Sequence, residues 1–146
     1  MLIVVVLIGL LVGISFPAVS AGVDTLRLAS AGDGVASLIG GALNRADRRQ
    51  QAVEIAIDLR ESVVVARSIG PGLGFNRRLQ MPAGVRIANV LPPPVVESDE
   101  PRRFVVYPGG APPRLAVELV NTKGARRVVQ VDPVTGVPRV ERPAAQ

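Results

Sequence analysis

The sequence predicts an α+β fold in which a long N-terminal hydrophobic α-helix is packed at its C-terminal half on a small antiparallel β-sheet domain. Three observations predict it. Residues 1–23 carry no charge. Apolar residues then recur at helical spacing from Leu28 to Leu43. From Val53 onward, short runs alternate apolar and polar residues between turns rich in Gly and Pro. The expected division is a transmembrane or filament-core helix segment at 1–23, an amphipathic continuation at 24–50 and a β-rich globular domain at 51–146.

The amino-terminal run comes first. As an α-helix rising about 1.5 Å per residue, residues 1–23 would reach roughly 35 Å, enough for a hydrocarbon core of about 30 Å. A cleaved signal peptide would carry a basic flank and a shorter apolar stretch. No Lys or Arg precedes this run, although Ala18-Val19-Ser20-Ala21 has the small residues of a cleavage site. Gly9, Gly13 and Pro17 interrupt the run at four-residue spacing. Two glycines so placed permit close helix approach, and a proline removes one backbone donor. A plain anchor needs neither, so Gly9, Gly13 and Pro17 are the candidate helix-packing and assembly residues.

The helical pattern continues with a different face. Leu28, Ala31, Val35, Leu38, Ile39, Ala42 and Leu43 follow the i, i+3, i+4, i+7 rule. Gly32, Gly34, Gly40 and Gly41 each weaken such a helix by about 1 kcal/mol against Ala, and packing on a sheet must offset that. The helix is expected to fade near Arg48-Arg49-Gln50.

Strands are expected at residues 53–59, 62–67, 84–90, 103–107, 114–120, 125–131 and 137–141. Val53, Ile55, Ile57 and Leu59 alternate with Glu54, Ala56, Asp58 and Arg60, the mark of a half-buried antiparallel strand. Asn121-Thr122-Lys123-Gly124 and Asp132-Pro133-Val134-Thr135-Gly136 have the turn residues of hairpin connections. The consecutive prolines Pro92, Pro93 and Pro94 cannot pair inside a sheet, so residues 91–101 read as an exposed connection.

Composition excludes several chemistries. The chain has neither Cys nor His, which rules out thiolate and imidazole metal sites and any His-based triad. The Gly-rich stretch 69–76 lacks the following helix of a phosphate-cradling loop, and Pro71 breaks its geometry. Glu54, Asp58 and Glu118 are expected on solvated strand faces, and Ser62, Thr122 and Thr135 in turns without a base. No enzyme, cofactor or metal is expected. Net charge is +5, and every one of the 17 basic residues except Lys123 is Arg. Arg favours phosphate contacts, though a GC-rich coding sequence also enriches it. Arg77-Arg78, Arg102-Arg103, Arg126-Arg127, Arg139 and Arg142 are candidates for an electropositive face.

The stretch "MLIVVVLIGLLVGISFPAV" resembles the amino-terminal helix of type IV pilins and type II secretion pseudopilins, with Gly9 and Pro17 at the matching positions. The family's start runs Gly-Phe-Thr-Leu-hydrophobic-Glu just before this segment, so an in-frame upstream extension with a basic leader is expected. "FVVYPGG" at 104–110 and "VVQVDPVTGVPRV" at 128–140 are similar to the tails of minor pseudopilins of the GspH/FimT kind. The resemblance implies a pilin-like fold and a minor pseudopilin-type structural subunit of a type II secretion or type IV pilus-like filament. It implies prepilin-type amino-terminal methylation, single-pass residence in the inner membrane and a C-terminal domain in the periplasm. The implied partners are other pilin or pseudopilin subunits, the inner membrane and exported cargo. Some minor pilins bind DNA through tail arginines. Arg139 and Arg142 stand in about that place, and Val137 stands where that group's first Arg would be. A DNA-binding minor pilin of a competence system, with Arg126, Arg127, Arg139 and Arg142 as DNA or partner contacts, is the alternative. A generic membrane-anchored periplasmic domain is a third reading.

Overall fold

A computed structural model of the chain describes residues 1–72, 74–96 and 98–143, without the side chains of residues 15–21. Helix α1 spans Leu2–Arg49. The strands are β1 (Val53–Asp58), β2 (Val63–Ser68), β3 (Asn76–Gln80), β4 (Val85–Leu91), β5 (Arg102–Val106), β6 (Ala116–Asn121), β7 (Arg126–Val131) and β8 (Pro138–Glu141).

The strands build two antiparallel sheets of four, in the orders β3-β2-β1-β5 and β4-β6-β7-β8. The chain completes β1 to β3 in the first sheet and crosses to the second for β4. It returns for β5 and crosses again for the β6-β7-β8 meander. Residues 92–101 and 107–115 make the last two crossings. The prolines that open the first of them end β4, because they offer no amide to a neighbouring strand.

Both sheets and the helix share one core. The helix contributes Leu28, Ala31, Val35, Leu38, Ile39, Ala42 and Ala46, all buried, with Leu43 half-buried beside them. The first sheet presents Val53, Ile55, Ile57, Val64 and Ala66, the second Ile87, Val117, Leu119, Val129 and Val131. In β1 buried and half-buried residues alternate strictly, as the two-residue period of a strand requires.

The helical glycines let α1 lie close to both sheets. A Cβ on Gly32 would stand 3.1 Å from Val140 Cγ1 of β8, and one on Gly34 3.2 Å from Leu79 Cδ2 of β3. The propensity lost at these two positions is therefore exchanged for contact with two different edge strands.

Two expectations are corrected by this architecture. The first is the pilin-like arrangement of a long hydrophobic helix on one small sheet. The β-rich part is two four-stranded sheets, and α1 is not hydrophobic along its length, since Asp24, Arg27, Asp33, Arg45, Asp47, Arg48 and Arg49 lie within it. The second is the transmembrane segment at 1–23. Among the described residues no helix is long and apolar enough to cross a membrane. Single-pass anchoring in the inner membrane is therefore not supported. The resemblance implied a domain in the periplasm and a place in secretion; with no membrane-spanning helix among the described residues, neither is supported.

Strand β3 was not anticipated. It falls just after the Gly-rich stretch and carries mostly exposed polar residues, with Leu79 half-buried. It exists because β2 supplies a backbone edge, on which Ala66 faces Arg77 and Val64 faces Leu79.

Candidate assembly surface

The residues singled out for assembly lie on the part of α1 that precedes the core. From Leu2 to Ile14 every Val, Leu and Ile side chain is more than half exposed. Gly9 and Gly13 have nothing within 4 Å of where a Cβ would stand. This stretch therefore offers two indentations, four residues apart on one helical face, inside a continuous aliphatic surface. Pro17, the third expected packing residue, lies outside the residues whose side chains are described. Monomeric proteins rarely expose more than about 300–600 Å² of contiguous apolar surface, and the exposed aliphatic run on α1 extends from Leu2 to Ile8 and, past Gly9, on to Ile14.

The arginines expected to form an electropositive face are distributed around the molecule. Arg77 and Arg78 sit on β3 at one edge of the first sheet, and Arg102 and Arg103 on β5 at its other edge. Several are neutralised. Arg126 Nη1 stands 2.6 Å from Glu118 Oε1, Arg139 Nη2 3.5 Å from Asp132 Oδ2, and Arg78 Nη2 3.5 Å from Glu61 Oε2. Arg102 donates to the Pro92 carbonyl at 2.7 Å and lies over the Phe104 ring. Glu141 faces Val128 and Arg139 faces Gln130 across β7 and β8. Arg127 and Arg142 therefore share one end of this hairpin and Arg139 takes the other. The four tail arginines do not converge on one point.

The carboxylates expected on solvated faces are more engaged than that. Glu54, directly opposite Arg67 in the β1–β2 ladder, accepts from its Nε at 2.8 Å and is mostly shielded from water. Glu118 is similarly held by Arg126. Asp58 accepts the Glu61 N–H at 2.9 Å and closes the turn into β2. Asp99 pairs with Arg60 from the β1–β2 turn; Glu97, from the same charged segment, lies outside the described residues. These are cross-strand and turn contacts, each of small energetic weight at such exposure. Among the described residues no three acidic side chains stand together as a cation site would need.

The hydroxyls of Ser62 and Thr135 have structural partners. Ser62 Oγ accepts the Ile87 N–H, and Thr135 Oγ1 accepts the Val137 N–H at 3.4 Å. Asp132 Oδ1 accepts the N–H groups of Val134 and Thr135 at 2.8 and 3.1 Å. The Thr135 amide, then the Val134 amide, hold its carboxyl below the usual aspartate range, with Arg139 adding to the effect. Asn121, a buried polar side chain, accepts from the Lys123 and Ala125 N–H groups and shapes the β6–β7 turn.

Compared with known protein families, with curated proteins and with solved structures, the chain matches none.

Proposed function

We propose that this chain is a pseudopilin-type structural subunit that acts by helix-mediated self-assembly, its amino-terminal helix packing against the corresponding helices of other subunits in a filament. The observation that carries this reading is the exposed aliphatic stretch from Leu2 to Ile14, with open space over Gly9 and Gly13. Covering it removes apolar surface from water, worth about 25 cal/mol per Å². The two glycines let a second backbone approach closely enough to gain dispersion contacts along the whole turn. The likeness of residues 1–19 to the helices of pilins and pseudopilins supports the same mode of association. The proposal concerns helix-to-helix contact and requires no membrane span.

The chain has no Cys, so a single Leu10→Cys substitution in the full chain reports association through a disulfide between copies. Crosslinked dimers and higher species are expected, and Gly9→Leu with Gly13→Leu should reduce them at least severalfold. Crosslinking that is absent, or that persists unchanged with both glycines replaced, would remove the helix face from the account.

A further inference from the structure

The carboxyl-terminal end of α1 carries a second feature that assembly does not use. Arg45, Arg48 and Arg49 from its last two turns meet Arg77 of β3 around an open cleft of about 300 Å³, also lined by Gly41, Asn44 and Phe75. None of the four guanidinium groups has a carboxylate partner among the described residues, whereas Arg67, Arg78, Arg126 and Arg139 elsewhere all do. Asp47, the nearest acid in sequence, lines a different cavity, where its Oδ1 accepts the Gly109 N–H at 3.0 Å.

Four unpaired cations at one place repel each other, and the ordinary explanation is that arginines cap the helix end. The bonds argue against it. The Gln51 N–H takes the Ala46 carbonyl at 3.2 Å, and Gln50 Nε2 takes the Asp47 carbonyl at 2.7 Å. Two of the terminal carbonyls are thus satisfied without any arginine. Arg45 is instead held against Phe75, its Cζ 5.3 Å from the ring centroid, and its Nε is buried with no hydrogen-bond partner. A buried donor left unmade is costly, and an oxyanion is the partner that a guanidinium N–H takes most strongly. Gly41 lines the cleft beside Arg77, and a Cβ there would stand in ordinary contact, 3.9 Å from Arg77 Nη1.

We propose that this cleft binds a phosphate-bearing anion, with Arg45 positioned by Phe75 and with Arg48, Arg49 and Arg77 closing around the oxygens. The site is separate from the tail arginines and from the exposed helix face, so it stands whether or not the chain assembles. The planar fork of Arg suits the paired oxygens of a phosphate, and the cleft is wide enough for one such group.

The test uses the full chain with two probes, inorganic pyrophosphate and a short oligothymidylate, each titrated at low and at moderate salt. Binding of either is expected, weakening as salt rises. Preference for pyrophosphate marks the source as a small free anion, and preference for the oligonucleotide marks a phosphodiester. Arg48→Gln with Arg77→Gln should weaken the preferred probe at least tenfold, while Arg126→Gln with Arg127→Gln leaves it within twofold. Gly41→Leu keeps every charge but fills the cleft, and it too should weaken binding at least tenfold. Circular dichroism on each variant confirms that it is folded. No binding by the wild type overturns the proposal. So does equal loss in the two arginine pairs, or full binding by folded Gly41→Leu, because either result reduces the effect to diffuse surface charge.

Discussion

The backbone N–H of Ile87 donates to Ser62 Oγ at 3.2 Å, and this bond ties the β1–β2 turn of the first sheet to β4 of the second. Ser62 holds φ at 51°, an angle that an L-residue adopts reluctantly, while its carbonyl accepts the Met81 N–H at 3.0 Å. One serine therefore helps seat the end of β3 and the start of β4. Ser62→Ala keeps the strained angle and leaves the Ile87 amide without its acceptor, a cost of about 1–2 kcal/mol. Ser62→Gly loses the same bond but relaxes the backbone, so it should be less harmful than Ala by about 1 kcal/mol. Urea unfolding of the two variants checks the order.

The helical glycines divide by what lies above them. Gly40 faces Pro138 at ordinary distance, since a Cβ there would be 3.6 Å from the ring. Gly40→Ala should stabilise by about 0.5–1 kcal/mol through helix propensity. Gly32 leaves no such room below Val140, and Gly32→Val should cost about 2 kcal/mol by overpacking. Thermal melts in which both substitutions move stability in the same direction would contradict this division.

Acid should act through Asp132. Its pKa in the folded chain is lowered from the ordinary 3.8 by the Thr135 and Val134 amides. A depressed carboxylate contributes stability that is fully present above its unfolded pKa and is lost as pH falls through its folded pKa. Asp132→Asn should therefore narrow the stability difference between pH 6 and pH 2. The measurement is the urea midpoint at a series of pH values, and an identical pH profile in both proteins excludes the turn as a contributor.

The core begins at Leu28, and nothing from residues 1–14 belongs to it. Removing residues 1–14 should leave the unfolding midpoint of the two-sheet domain within about 0.5 kcal/mol of the full chain, the usual range for changes away from core contacts. The same deletion should raise solubility and abolish association in sedimentation. A large drop in stability would show that the exposed stretch folds back on the domain.

The amino-acid sequence by itself determined the elements whose side chains repeat with a period. The stripe from Leu28 to Leu43 and the alternation from Val53 to Ile57 mark buried faces, because burial must repeat with the geometry of a helix or a strand. The two carboxyl-terminal turns were equally legible, since Asn121, Asp132, Gly124 and Gly136 do chemical work inside their own loops. Tertiary structure alone decided the rest. The sequence does not show that the strands separate into two sheets, because partner choice depends on which backbone edges meet. β3 is a strand through its pairing with β2, although Asn76, Arg77 and Arg78 carry no apolar pattern. The candidate residues followed the same rule. Gly9 and Gly13 were visible as a local spacing, whereas the meeting of Arg45, Arg48 and Arg49 with Arg77 was not. Arg77 lies 28 residues beyond Arg49 in the chain, and only the packing of α1 against β3 brings their charges to one cleft.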